Sequence, residues 1–212
     1  MTTAEFEAAL HFELYDFFND RDFGFIPSKH QYRKLTPDGF QNVIFTTTTY
    51  EGDEHIMEVS IGTRIDKVED FVQPYLYHTN VRSLESNTVV MSLGRIRNQK
   101  YFRYIIRSPK DIGAVASDVE DFMYTTGIRF LEENCRVDML DIKFNKYPEH
   151  PCNIIYNQSH RCFKGLTLAR LNHNPHFYAL QEIYEETLMK LGTDKDTVRN
   201  FKKMAKRLID LT

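Results

Sequence analysis

Apolar residues recur at helical spacing from the start of the chain. Phe6, Leu10, Leu14 and Phe17 share one stripe, and Thr2 with Glu5 has capping-box spacing, which predicts an amphipathic helix over residues 3–20 ended by Gly24. Three extended segments are expected next, over 25–35, 40–50 and 54–64, separated by Asp38-Gly39 and Glu51-Gly52-Asp53. In the third, Ile56, Glu58 and Ser60 alternate with Met57, Val59 and Ile61, the mark of a strand wet on one face. Asp66 opens a short helix carrying Val68, Phe71, Val72 and Tyr75, in which Pro74 either sits near the end or kinks the last turn, and its apolar stripe is expected on the sheet. Residues 89–96 and 101–107 read as two more strands joined by the polar turn 97–100.

Ser117 and Glu120 have capping-box spacing ahead of Val119, Phe122, Met123 and Phe130, which predicts a long helix over 117–134. Residues 135–158 are ambiguous and read mostly as loop, with room for a short helix or strand. A helix over 161–172 follows around Phe163, Leu166 and Ala169. Asn174-Pro175 then starts a helix bearing Phe177, Leu180, Tyr184, Leu188 and Leu191, and Gly192 stops it. Thr193 is expected to cap a last helix with Val198, Phe201, Ala205 and Leu208 inward. The pattern describes an α+β fold: an antiparallel sheet of about five strands packed by helices, with a three-helix C-terminal cap. A sheet region over 1–147 and a helical region over 148–212, with no flexible linker between them, are expected to form one integrated domain.

Composition narrows the function classes. Of 212 residues 42% are hydrophobic and 27% charged, with a net charge of −3, so neither disorder nor a global attraction to nucleic acid or an anionic membrane is indicated. No apolar run is long enough for a membrane span. The acidic start lacks a secretory signal, and Cys135, Cys152 and Cys162 are too few for a disulfide framework; both point to a cytoplasmic protein with free thiols.

Within this acidic chain, residues 86–110 carry Arg95, Arg97, Lys100, Arg103, Arg107 and Lys110 and no acid. On a strand, Arg103, Ile105 and Arg107 face one way and Phe102, Tyr104 and Ile106 the other, so the arginines would project from the solvent side, able to grip carboxylates or phosphates. The plainer reading is a ladder of salt bridges to glutamates such as Glu58. Exposed aromatics at Tyr75-Leu76-Tyr77-His78 and Tyr101-Phe102-Arg103-Tyr104 could anchor a protein, though core packing explains most of them. A second cluster, His150-x-Cys152 and His160-x-Cys162 with His173 and His176 behind, has zinc-compatible residue types but not the familiar zinc spacing; buried cysteines beside loop histidines are the plainer account. Asp141-Ile142-Lys143, with Asp121 or Asp138 upstream, matches half of a metal-dependent nuclease pattern that arises readily by chance. Phosphate-cradling, dinucleotide, hydrolase-elbow and zincin motifs are absent.

The N-terminal helix, Gly24-Phe25 opening a strand with Arg33 near its end, Gln41-Asn42-Val43-Ile44-Phe45 and Val59-Ser60-Ile61-Gly62 together resemble small uncharacterised bacterial α+β domains of unknown function. Some of these are similar to immunity proteins, and the resemblance implies a non-catalytic binder of a protein partner. The expectation is therefore a macromolecule-binding module using Arg95, Arg97, Arg103 and Arg107, with no cofactor, no metal, no membrane and no nucleic-acid partner, and with homo-oligomerisation left open. The alternative is an enzyme with a fold-assembled, metal-dependent site near residues 150–176.

Overall fold

The computed structural model describes residues 2–49, 54–76 and 84–211; Tyr50, the turn at Glu51-Gly52-Asp53 and the aromatic pair Tyr77-His78 lie outside them. The fold is α+β, with an open antiparallel sheet and several C-terminal helices. Two compact units divide the chain: residues up to 63 with 90–132, and residues 64–89 with those from 133 on. The division expected near residue 147 falls inside the second unit.

In the first unit α1 (Thr3–Asn19) begins with the capping box of Thr2 and Glu5. Its Phe6, Leu10, Leu14 and Phe18 are fully buried, each contributing about 1.5–3 kcal/mol of apolar burial. The extended segment expected over 25–35 is a hairpin instead: β1 (Gly24–Ile26) pairs with β2 (Gln31–Thr36), Gly24 opposite Arg33. Pro27 offers no N–H and has its φ fixed, so it opens a 3-10 turn over Pro27–Lys29 that His30 closes in the left-handed region at φ 47°. The sheet continues through β3 (Gly39–Thr49), β4 (His55–Ile65) and β5 (Val89–Ser92), in the order β1-β2-β3-β4-β5, while β6 (Tyr104–Ile106) also pairs with β4. Burial follows the pleat of β4: Met57, Val59 and Ile61 are in the core, and Ile56, Glu58 and Ser60 are half-buried.

The segment between β4 and β5 forms α2 (Asp66–Leu76), with Pro74 inside its last turn. The sheet was expected to receive its stripe, but Val72 belongs to the helical core of the second unit, with Phe71 and Tyr75 packed against that core. The strand expected over 89–96 is cut short, because the Ser92 side chain accepts from the N–H of Arg95 and starts the single turn α3 (Leu93–Ile96). The long helix begins earlier than expected. α4 (Lys110–Phe122) starts after Ser108-Pro109, where the Asp111 carboxylate accepts from the N–H groups of Arg107 and Ser108, so Ser117 is interior. A π turn over Met123–Gly127 joins it to α5 (Ile128–Asn134). The inner face of the sheet, α1 and the apolar side of α4 share one core.

The second unit is built around α7 (Gln158–Leu171), in which every residue from 161 to 169 is buried. A helix covered on all sides needs neighbours all round. These are α2, α6 (Val137–Asn145, the short helix that the mostly loop segment left room for), α8 (Phe177–Lys190) and α9 (Lys195–Ile209). Gly192 ends α8 at φ 68°, as its position suggested. Asp194, not Thr193, caps α9 by accepting from the N–H of Thr197; the Thr193 hydroxyl instead donates to the carbonyl of Leu188.

Candidate functional site

The four arginines singled out by sequence do not all lie along one strand. Tyr104 and Ile106 point into the core, leaving Arg103, Ile105 and Arg107 on the exposed side, with Ile105 opposite Ile56 on β4. Arg103 lies 3.6 Å from Glu58, and Arg107 Nε donates to Glu54 at 2.8 Å. Both are the in-chain salt bridges that the ladder reading anticipated. Beside them Thr46, Thr48, Ile56, Glu58 and Arg103 line a shallow hollow of about 160 Å³. Arg95 and Arg97 lie off the strand, because the chain turns helical after Ser92: Arg95 is in α3, and Arg97 follows it.

Arg97 grips Asp118 of α4 with both terminal nitrogens, at 2.8 and 3.2 Å, and the Tyr104 hydroxyl donates to the same carboxylate at 2.5 Å. The Arg97 hydrogen bonds, with a smaller contribution from Tyr104, hold Asp118 below the usual carboxylate range. Burial, then the neighbouring carboxylate, push the Tyr104 phenol up. This cluster fastens α4 to the sheet and offers no reactive group. Of the aromatics, Tyr101 is 93% exposed, whereas Phe102 and Tyr104 pack inward.

The histidine–cysteine cluster is not assembled. His160 and Cys162 stand on α7, where two residues turn the helix about 200°, so the alternation that would aim them alike on a strand is lost. Cys162 is fully buried, its Sγ donates to the Gln158 carbonyl, and burial pushes its thiol up to about 12. Burial also lowers His160 to about 4, with a further push from the Lys164 charge. His150 is exposed. Among the described residues no three His, Cys, Asp or Glu side chains come together as a metal ion would require.

Asp141 has no lysine beside it in the nuclease sense, since Lys143 pairs with Glu133 and Asn134. Its buried carboxylate instead accepts from the side-chain amides of Asn145 at 2.5 Å, Asn172 at 2.7 Å and Asn174 at 2.9 Å, tying α6 to the turn before α8. Asn145 passes the network on, donating to the Gly165 carbonyl at 2.9 Å and accepting from the Tyr184 hydroxyl. On α7, Lys164 meets Glu69 of α2 at 2.9 Å and donates to the carbonyls of Asn87 and Thr88. Glu69 Oε1 has no aligned donor, so its contact with Lys164 is one of charge more than of hydrogen bonding. Arg161 donates to the carbonyls of Phe144, Tyr147 and His150. Sequence reasoning missed Asp141 in this role, Arg161 and Lys164. The available signal was two cations three residues apart at the start of the largely apolar stretch 161–169.

A further missed residue is His11 of α1. It is buried against Phe25, Tyr32 and Phe45, and neither ring nitrogen has a hydrogen-bond partner. Burial, then the His30 charge, lower it to about 4. It lines a wide groove with Phe12, Tyr15, Phe25 and Tyr32.

No helix among the described residues is long and apolar enough to cross a membrane. The chain matches no family model, no curated protein and no solved structure.

Proposed function

We propose that the protein is a non-enzymatic binding module whose partner is another protein, received on the outer face of the sheet at Arg103, Ile105 and Arg107. One observation carries this reading: Ile105, 48% exposed, stands between two exposed arginines and opposite Ile56, which lines the neighbouring hollow. An apolar centre flanked by guanidinium groups is the composition favoured at protein-interface anchor points. A protein fits better than nucleic acid because Glu58 and Glu54 neutralise the two arginines. The surface therefore presents alternating charge rather than the continuous positive field that a phosphate backbone needs. Catalysis near residues 150–176 has less support, since Cys162 is held as an inert thiol and Arg161 is engaged with carbonyls.

The test is affinity capture from the source cells with the wild-type chain and with the double variant Arg103→Glu, Ile105→Asp. The expected result is one stoichiometric partner lost from the variant, with thermal unfolding changed by no more than a few degrees. A partner retained at full occupancy on the folded variant removes this surface from consideration.

A further inference from the structure

Three Lys or Arg side chains are buried among the described residues, all in the second unit: Arg64, Arg161 and Lys164. Burying a charge is costly unless it is paired. Arg64 reaches Asp66 at 2.5 Å and Asp70 at 2.7 Å, and Lys164 reaches Glu69 at 2.9 Å. Arg161, only 3% exposed, has no carboxylate. Its guanidinium makes four hydrogen bonds to three carbonyls, at Phe144, Tyr147 and His150, and an arginine has five such donors, so one Nη1 hydrogen is left over. The buried anion of the same network, Asp141, is linked to it only through neutral groups: Asn145, Tyr184 and the Phe144 carbonyl.

This under-compensated cation lines a hollow of about 290 Å³, large enough for a small organic molecule. Pro148 and Pro151, from the segment between α6 and α7, and Ile183 and Leu191, from α8 and its end, supply apolar lining. Ile183, Glu186, Thr187 and Lys190 follow the three-and-four spacing of one face of α8, so a regular helix presents them together. Two prolines stiffen the rest of the lining, and a preformed site spends little on ordering. Glu149 and Glu186 also line the hollow and oppose an anion, but both are exposed and Lys190 stands 3.4 Å from Glu186, whereas Arg161 is shielded from water.

We infer that this hollow is a binding site for a small monocarboxylate with an apolar body, its carboxylate on Arg161 and its body against the prolines and the α8 face. The carboxylate supplies the counter-charge that the fold gives Arg64 and Lys164 and withholds from Arg161. This site is separate from the sheet surface, and its failure leaves that proposal untouched.

The test is titration of the intact protein with 3-phenylpropionate and with 3-phenylpropanamide, which has the same shape without the charge. Calorimetry gives affinity, and the Arg161 Nε–H resonance gives location. The carboxylate is expected to bind at least tenfold more tightly than the amide and to shift that resonance. Leu191→Trp, which fills the hollow from a half-exposed position, is expected to abolish both effects. Arg161→Gln should equalise the two compounds if it folds; Leu191→Trp and the resonance serve if it does not. Absence of carboxylate binding, equal affinity for the amide, or undiminished binding by Leu191→Trp overturns the assignment.

Discussion

Replacing Gly165 with alanine tests the packing argument for the helical unit, because the two local effects have opposite signs. Gly165 lies in the middle of α7, where alanine is intrinsically better by about 1 kcal/mol. A Cβ there would stand 2.7 Å from the Tyr184 hydroxyl, 2.9 Å from Asn145 Oδ1 and 3.1 Å from Tyr184 Cε2. Ordinary contact begins near 3.4 Å, so the tyrosine must retreat by about 0.7 Å. That movement strains the hydrogen bonds it donates to Asn145 and to the Phe144 carbonyl, and with them the Asn145–Asp141 link. Overpacking of this kind costs about 1–3 kcal/mol, and a buried hydroxyl that loses its acceptors costs about 1–3 more. Against the propensity gain, a net loss of about 1–5 kcal/mol is expected, measured by urea unfolding followed by far-ultraviolet circular dichroism. In a Tyr184→Phe background, which removes the closest obstructing atom, Gly165→Ala should cost about 1–2 kcal/mol less. Gly113 of α4 is the control: nothing lies within 4 Å of its Cβ position, and Gly113→Ala should stabilise by about 0.5–1 kcal/mol. A Gly165→Ala protein as stable as the wild type, or strict additivity with Tyr184→Phe, would refute the reasoning.

Lys164→Met leaves Glu69 buried without its cation and should destabilise by about 3–5 kcal/mol, whereas the double change Lys164→Met, Glu69→Leu should recover most of that loss; equal single and double variants in urea would contradict the buried pairing. Acid sensitivity should follow from His11 and His160, both lowered from 6.5 to about 4 when folded. The unfolded chain then binds more protons between those values, so stability is fully present above pH 6.5 and falls as pH drops towards 4. The urea midpoint should decline between pH 7 and 5, and His11→Phe, which removes two unpartnered ring nitrogens, should flatten that decline without weakening the protein at pH 7. An unchanged pH profile in His11→Phe would assign the sensitivity elsewhere.

Features decided within a turn or a strand's width were legible along the chain. The Thr2–Glu5 capping box, the alternation along β4 and the stop at Gly192 are all in place. Each depends on atoms only a few residues apart, so neighbours in sequence already contain the physics. The alternation of Arg103, Ile105 and Arg107 was legible for the same reason, and so was Glu58 as a partner for the face they share.

What failed depended on partners far away in sequence or on competition between two local readings. Residues 89–96 have strand composition, yet the Ser92 side chain captures the Arg95 N–H and takes Arg95 and Arg97 off the sheet. The apolar stripe of α2 can serve any apolar surface, and only the presence of α7 and α9 decided which one it covers. The polar residues of α7 show the limit most plainly. Arg161 donates to carbonyls 11 to 17 positions back, and Lys164 to a carbonyl 77 positions back. By itself the sequence determined the class of fold, the position of most helices and the pairing tendency of the exposed strand, because backbone hydrogen bonding and side-chain periodicity are short-range. The tertiary structure alone decided which buried charges are neutralised and which remain uncompensated, because that depends on which chain segments are brought together around a helix shielded from water.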